Sequence, residues 1–184
     1  MKPARALLSL LGVLLGLAIA LGVLQALAVK LPQSLHALWW GLLLALTGAA
    51  LVDALRLRKL PSPRLERLLP GNLPLGRWSE VRLCLHHAYA QPLALEVFDH
   101  VADGMAFEHL PQRIELRPGE QTQFAYRVRP LLRGHFSFTQ CEIDLPSPLG
   151  LWRARRCLAL PGETRVYPDF ARLYGAQLMA VDDW

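Results

Sequence analysis

The sequence predicts a membrane α-hairpin of two transmembrane helices, followed by an all-β immunoglobulin-like sandwich and the start of a C-terminal helix. Three observations predict this fold class. Residues 6–29 and 31–52 carry no charge, and each segment is long enough to cross a hydrocarbon core about 30 Å thick as a helix. Beyond them, short runs of alternating apolar residues are separated by Pro and Gly. Apolar residues from position 170 onward change to helical spacing.

Charges around the two apolar segments predict their orientation. The net charge of +5 arises before residue 61, where six basic residues accompany the single acid Asp53, whereas the rest of the chain has equal numbers of Arg and acidic residues. Basic residues precede the first segment and follow the second, and only Lys30 lies between them. The positive-inside rule therefore places the N-terminus and the soluble domain in the cytoplasm, with the hairpin in a bacterial inner membrane.

A cleaved signal peptide is the alternative interpretation of the first segment, because Ala26 and Ala28 resemble a cleavage site. The uncharged run is longer than the roughly 7–15 residues of a signal-peptide core, which favours a membrane helix. Even after cleavage, the second segment would hold the domain in the cytoplasm.

Small residues recur every four positions in both apolar segments and predict close helix packing. We expect them to pack the two helices against each other, and homodimerisation through the same faces is the alternative. Neither segment carries an acidic or basic residue, so nothing indicates an ion or proton path. The small residues are Gly12, Gly16 and Ala20 in the first segment and Gly41, Ala45 and Ala49 in the second.

After the anchor at residues 1–59, we predict a Pro-rich linker at residues 60–75 and the sandwich at residues 76–168. Val81, Leu83 and Leu85 alternate with polar residues, and the same period of two recurs along the domain. Phe138 and Ile143 belong to opposite phases, a change that one residue of bulge absorbs. About seven or eight short strands are typical of a two-layer antiparallel sandwich.

Two Pro-Gly pairs and one helix N-cap signal complete the predicted secondary structure of the soluble part. Pro118-Gly119 and Pro161-Gly162 each suit a type II turn and predict two tight reversals. At residues 169–184, Asp169 offers an N-cap for a helix that leads toward a downstream domain beyond Trp184. The pair Asp182 and Asp183 is predicted to be a solvated part of that helix, and cation binding beside other ligands is the alternative.

Composition argues against several function classes. The odd count of cysteines, Cys84, Cys141 and Cys157, without a Cys-x-x-Cys spacing, suits a reducing compartment and unpaired thiols. The neutral soluble domain does not favour nucleic-acid binding, which needs basic residues on the folded domain.

No constellation of side chains predicts catalysis. His86 and His87 are neighbours on a strand and therefore point to opposite faces, which is poor geometry for one metal ion. The sequence contains no motif that would pair a nucleophile with a base or place two carboxylates together. It also contains no glycine motif of the kind that binds phosphate. The sequence thus predicts a protein that is not an enzyme and has no catalytic, cofactor-binding or metal-binding residue.

One local basic cluster consists of Arg153, Arg155 and Arg156. Contact with anionic lipid or with a protein partner is one interpretation, because the domain begins close to the inner leaflet. The other is a strand edge whose charges prevent pairing with further chains.

Three segments in order carry a family resemblance: Arg133-Gly134-His135-Phe136, then Ser147-Pro148-Leu149-Gly150-Leu151-Trp152, then Val166-Tyr167-Pro168-Asp169-Phe170. After an N-terminal membrane hairpin, this order resembles the upstream region of the bacterial domain-of-unknown-function 58 family. Gly134 permits a tight strand entry, and Pro148 with Gly150 is expected to form a corner.

The resemblance implies a membrane-tethered β-sandwich followed by a domain similar to the von Willebrand factor type A fold, with a metal-dependent adhesion site. It also implies work with MoxR-type AAA+ ATPases and other membrane proteins in assembling or maturing complexes. Residues up to Trp184 contain no Asp-x-Ser-x-Ser metal motif, so no metal ligand is carried over.

The function predicted from the sequence is an inner-membrane-anchored, non-enzymatic interaction or scaffold protein. It would present its cytoplasmic sandwich to partners, among them a MoxR-type AAA+ ATPase. The alternative is the N-terminal anchor part of a longer membrane-bound protein whose metal-binding or catalytic domain lies beyond Trp184.

Overall fold

The computed structural model of this chain describes residues 1–168. The predicted helix at residues 169–184, with Asp182 and Asp183, lies outside the described residues. The elements are two helices, α1 and α2, and strands β1 to β10. Their bounds are β1 Lys2–Pro3, α1 Arg5–Ala26, α2 Gln33–Lys59, β2 Arg64–Leu68, β3 Asn72–Pro74, β4 Ser79–His86, β5 Leu93–Asp99, β6 Met105–Glu108, β7 Gln112–Leu116, β8 Thr122–Pro130, β9 Gly134–Pro146 and β10 Trp152–Tyr167.

The chain divides into two compact units. The first comprises Met1–Pro61 and Asp144–Arg155, and the second comprises Ser62–Ile143 and the described residues from Arg156 onward. The predicted order of two N-terminal helices followed by a β-sandwich is confirmed.

The first unit contains the helical hairpin. Leu7 and Leu14 are buried on α1, and the indole Nε1 of Trp39 on α2 donates a hydrogen bond of 2.9 Å to the Leu14 carbonyl oxygen. Leu7 and Ala50 form a small apolar cluster with Leu151. Both helices qualify by length and composition as candidate membrane spans.

The small residues of the hairpin lie away from these contacts. An ideal Cβ on Gly12, Gly16 or Gly41 would meet no heavy atom of the described chain within 4 Å. Ala20 and Ala45 are also exposed, and Ala49 is half-buried. The contacts described above between the helices thus involve Trp39 and Ala50 of α2 instead of the predicted small residues.

The second unit holds most of the sandwich. Within the described residues, one sheet has the order β1-β10-β9-β5-β7, with β3 also paired to β10, and the other has the order β2-β4-β8-β6. The registers include Val81↔Tyr126 between β4 and β8 and Leu95↔Ile114 between β5 and β7, both antiparallel. The short pair of β3 with β10 is parallel.

Alternation along the strands fills the core as the sequence predicts. Val81, Leu83 and Leu85 are fully buried on β4, and the same holds for Tyr126 and Val128 on β8. On β9 the buried positions change phase between Phe138 and Cys141, which agrees with the predicted phase change. β4, β8 and β9 therefore each bury one apolar set of side chains in the core.

One of the two predicted reversals is confirmed and the other is wrong. Gly119 has φ +75°, and the Glu120 amide donates to the Arg117 carbonyl oxygen at 3.2 Å, as a type II turn requires. In contrast, β10 continues without a reversal through Pro161 and Gly162. Gly162 is instead closely approached, since a Cβ there would lie 3.1 Å from the guanidinium of Arg67.

The segment predicted as a Pro-rich linker, residues 60–75, contains two strands. β2 pairs with β4 from Arg64↔His86 to Leu68↔Arg82, and β3 pairs with β10. The prolines around them stand at strand ends, where a missing N–H donor is tolerated.

All three cysteines lack a disulfide, as predicted. Cys84 and Cys141 are buried and Cys157 is exposed. Burial, with a smaller contribution from the charge of Asp99, raises the pKa of Cys141 to about 12, so this thiol stays protonated at neutral pH.

Candidate functional site

The corner after β9 is built around a buried carboxylate at the end of α2. Asp53 is fully buried, and its Oδ1 accepts a hydrogen bond of 2.9 Å from the Leu149 amide. Its Oδ2 accepts from the hydroxyl of Ser147 and, at 3.2 Å, from the Leu151 amide. Three donors from one corner thus satisfy a single carboxylate, which removes much of the cost of burying the charge.

The corner has the local sequence that its shape requires. The Gly150 amide donates to the Ser147 carbonyl oxygen at 3.0 Å, with Pro148 at the second position of the turn. Gly150 has φ +75°, which is strained for any residue with a side chain. The expected corner of Pro148 and Gly150 is therefore present.

Trp152 fastens the other side of the corner to the helix. Its indole Nε1 donates to the Ala50 carbonyl oxygen at 2.9 Å, and its amide donates to the Ser147 hydroxyl oxygen at the same distance. The Ser147 amide in turn donates to the Trp152 carbonyl oxygen at 2.8 Å. We call Asp53, Ser147, Leu149, Leu151 and Trp152 the Asp53 cluster.

The other two family-like segments lie in the second unit. Gly134, at φ +134°, opens β9, and Arg133 beside it is exposed. Val166 is buried and pairs with Leu73, and the Tyr167 carbonyl oxygen accepts from the Leu75 amide at 3.1 Å. Pro168 is half-buried. Within the described residues of the second unit, Gly134 thus shapes the start of β9 and Val166 the end of β10.

The predicted basic cluster is divided by the structure. Arg153 lies on β10 opposite Lys2 of β1, and its Nε donates to Asp144 at 3.1 Å. Arg155 lies in the same unit, whereas Arg156 belongs to the second unit and donates to the Ser62 hydroxyl at 3.0 Å. Arg153 and Arg155 are two positions apart on β10 and therefore lie on the same face of the strand, whereas Arg156 lies on the other face.

A buried ionic network crosses the sandwich. Arg67 on β2 donates to Asp99 on β5 through Nε at 2.7 Å and through Nη2, and the Tyr126 hydroxyl on β8 also donates to Asp99. Arg67 Nη1 donates to the Leu160 carbonyl oxygen at 2.6 Å, and its guanidinium lies 5.0 Å from the Phe138 ring centre.

This network is closed to solvent. The side chains of Arg67 and Asp99 are only 2% and 0% exposed, and Tyr126 is fully buried. Burial, reinforced by Asp99, raises the pKa of Tyr126. Although perturbed ionisable groups are typical of active sites, these groups are closed to a substrate, which favours a structural role for the network.

An apolar tip follows β8. We call residues 131–135 the Leu131 tip. Leu131 and Leu132 are 57% and 61% exposed, and the Leu131 amide donates to the Gly104 carbonyl oxygen at 2.9 Å. A Cβ on Gly104, which has φ +86°, would lie 3.1 Å from Leu132 Cδ1. The tip is therefore held in place while it presents two adjacent leucines to the outside.

No metal centre forms within residues 1–168, where no three His, Cys, Asp or Glu side chains are grouped as a metal ion requires. His86 Nε2 lies 3.6 Å from Glu66, while the neighbouring His87 stacks on Tyr89 with ring centres 5.3 Å apart. The two imidazoles thus have different partners.

Sequence reasoning missed the Asp53 cluster and the Arg67 network. One feature of the sequence could have identified Asp53. It is a lone acidic residue directly after an apolar segment, and such a residue requires a specific partner. Arg67 lies two positions after Leu65 and therefore on the same face of β2, but this spacing does not identify Asp99 as its partner.

No protein-family model matches this chain, and no curated protein matches it. Among solved structures, Salmonella alpha-2-macroglobulin is similar over 59% of this chain and 7% of its own length, at 18% identity and a TM-score of 0.44. A FixG-related protein from Vibrio parahaemolyticus matches 58% of this chain and 98% of its own, at 9% identity and a TM-score of 0.39.

The CARDB domain of a Pyrococcus furiosus protein, solved in complex with di-metal ions, is similar over 59% of this chain and 90% of its own. Its identity is 10% and its TM-score 0.39. This chain thus spans only a small part of the Salmonella protein. All three similarities are too distant to support an argument about function.

Proposed function

We propose that this chain is a non-enzymatic interaction protein, anchored in the bacterial inner membrane, that presents an immunoglobulin-like sandwich to partners in the cytoplasm. The observation that carries the proposal is the outward exposure of α1 and α2. In the most apolar stretch of each helix, only 11% and 0% of residues are buried. Such continuous apolar surface is unfavourable in water by about 25 cal/mol per Å² and is satisfied by lipid.

Helix length supports the same proposal. The 22 residues of α1 and 27 residues of α2 extend about 33 and 40 Å at a rise of about 1.5 Å per residue. A hydrocarbon core of about 30 Å is spanned by each, with the longer α2 tilted or extended beyond the core. Arg56, Arg58 and Lys59 occupy the last turn of α2, where positive charge favours the cytoplasmic side.

Backbone pairing supports the proposal that both ends of the hairpin lie on the same side of the membrane. β1 pairs with β10 through Lys2↔Arg153 and Pro3↔Trp152, and the Ala4 amide donates to the Leu151 carbonyl oxygen at 2.8 Å. The N-terminal segment and the corner at residues 147–152 therefore belong to the same side of the membrane in this proposal.

A topology reporter tests the orientation. Alkaline phosphatase fused after Trp184 is expected to be inactive and green fluorescent protein fused there to be fluorescent, because the first requires export and the second requires the cytoplasm. As a control, the same pair inserted in the turn beside Lys30 should give the opposite result. Phosphatase activity after Trp184 would overturn the cytoplasmic placement and the choice of partners.

The Leu131 tip is the surface that we assign to partner binding. The two adjacent exposed leucines form an apolar surface that a partner could cover, and the exposed Arg133 beside them offers an ionic contact. The family resemblance suggests a MoxR-type AAA+ ATPase as the partner. Within residues 1–168, β6 lies next to β8 at the edge of its sheet, where a partner strand could pair with it.

Co-purification tests this assignment. The full chain in mild detergent is expected to retain a co-expressed MoxR-type ATPase, and L131S/L132S should weaken this association about tenfold or more, as loss of an interface centre does. The control is L68S, because Leu68 is 54% exposed but lies on β2 at the other edge of the same sheet. No association of the wild type at micromolar concentration, or equal loss in both variants, would contradict the proposal.

A further inference from the structure

A basic cleft lies in the first unit beside the start of α1. Its volume is about 440 Å³, within the range of roughly 300–1,000 Å³ that is typical of small-ligand sites. Four basic side chains line it, from Lys2 and Arg5 on one side and Arg153 and Arg155 on the other. The acid Asp144 also lines it and accepts a hydrogen bond from Arg153. The side chains of the cleft therefore carry a clear excess of positive charge.

Strand pairing forces these charges together. Lys2 and Arg153 are directly opposite each other in the antiparallel pair of β1 and β10, where like charges are destabilising. Asp144 pairs with Arg153, but within residues 1–168 neither Lys2 nor Arg5 has an ion pair. A bound anion would satisfy this uncompensated charge.

The start of α1 adds donors to the same space. Ala4, at the N-cap, provides no side-chain hydrogen bond, and the first turn of α1 has no acidic residue. The backbone N–H groups of this turn thus retain their capacity to bind an anion, in addition to the basic side chains that define the cleft.

The position of Arg5 identifies the source of the anion. Arg5 is the first residue of α1, so when α1 spans the bilayer it lies at the level of the lipid headgroups. The phosphate of an anionic phospholipid is present there at high local concentration, and inner-leaflet anionic lipids attract basic residues at this depth.

We propose that the cleft of Lys2, Arg5, Arg153 and Arg155 binds the phosphate of an anionic phospholipid headgroup from the cytoplasmic leaflet. This inference rests on the membrane anchoring proposed above and adds a specific lipid site to it. The bound lipid would neutralise the basic side chains of the cleft. It would thereby stabilise the pairing of β1 with β10 at the membrane surface.

Lipid titration of the full-length protein in a neutral maltoside detergent tests the site. Isothermal titration calorimetry with dioctanoyl phosphatidylglycerol is expected to show binding at least about tenfold tighter than with dioctanoyl phosphatidylcholine, and tighter than with inorganic phosphate. K2Q/R5Q is expected to weaken phosphatidylglycerol binding roughly tenfold or more. K2R/R5K retains the charge and should retain the affinity.

The matched control is R56Q/R58Q, which removes the same charge from the end of α2 outside the cleft lining. It should leave the affinity nearly unchanged. Equal affinity for the two lipids, equal weakening by both Gln variants, or phosphate binding as tight as phosphatidylglycerol binding would each overturn the proposal, the last by indicating a site for free anions. Because detergent removes any dependence on orientation or partner, failure here is distinguishable from failure of the reporter and co-purification tests.

Discussion

Replacing Asp99 by Ala is expected to lower the free energy of unfolding of the sandwich by about 3–5 kcal/mol. Asp99 is fully buried and accepts hydrogen bonds from Arg67 and from Tyr126. The Arg67 side chain is only 2% exposed, so without Asp99 its guanidinium would remain charged in the core without a counterion. An unpaired buried charge is among the most destabilising single changes in a protein.

Urea unfolding of the full chain in detergent, followed by tryptophan fluorescence, measures this effect. The control is E80A, because Glu80 and Arg82 form an exposed ion pair of 2.6 Å, 59% and 52% exposed on the Arg and Glu sides, which solvent screens. E80A should leave the unfolding midpoint nearly unchanged. Similar midpoints for D99A and E80A would contradict a stabilising role for the network.

A double replacement separates charge from packing. R67M/D99L removes both charges and supplies apolar side chains, so it is expected to be less destabilised than D99A. If it is destabilised more than D99A, the hydrogen bonds of Arg67 to Leu160 and its contact with Phe138 contribute more than the cost of burying the pair.

The layered β fold was predictable because its signal is local. A period of two marks which face of β4 or β8 is buried, and burial of Val81, Leu83 and Tyr126 follows directly. The phase change on β9 is visible in the sequence for the same reason. Apolar residues occupy even positions up to Phe138 and odd positions from Cys141 onward.

The contacts that fasten the fold were not predictable, because each joins residues far apart in the chain. Arg67 and Asp99 are separated by 32 positions, and Asp53 and Ser147 by 94. The sequence identifies Ser147, Pro148 and Gly150 as a corner but contains no local signal that Asp53 accepts its donors.

The reversal wrongly predicted at Pro161 and Gly162 shows tertiary pairing overriding local preference. Val166, four residues after Gly162, pairs with Leu73 of β3, and the Thr164 hydroxyl donates to the Pro70 carbonyl oxygen at 2.8 Å. These contacts hold β10 extended, and a Cβ at position 162 would lie 3.1 Å from the Arg67 guanidinium, so Gly162 suits a close approach instead of a turn.

Replacing Asp53 by Ala is expected to release the corner at residues 147–152 from α2. The Ser147 hydroxyl and the Leu149 and Leu151 amides would lose their acceptor, at a cost of about 3 kcal/mol for donors to a buried charged group. Since local opening exposes amides to exchange, about 3 kcal/mol corresponds to roughly 100-fold faster hydrogen exchange at Leu149 and Leu151.

Hydrogen-exchange mass spectrometry of peptides covering residues 147–152 measures this release in the full chain. D53N retains one acceptor oxygen and should give an intermediate rate, whereas D103A, which removes an exposed carboxylate in the second unit, should leave these amides as slow as in the wild type.

Unchanged exchange in D53A would show that Trp152, through its bond to Ala50, holds the corner alone. Faster exchange in D53A with normal exchange in D103A would instead establish that a single carboxylate at the end of the second helix fastens the hairpin to the corner between β9 and β10.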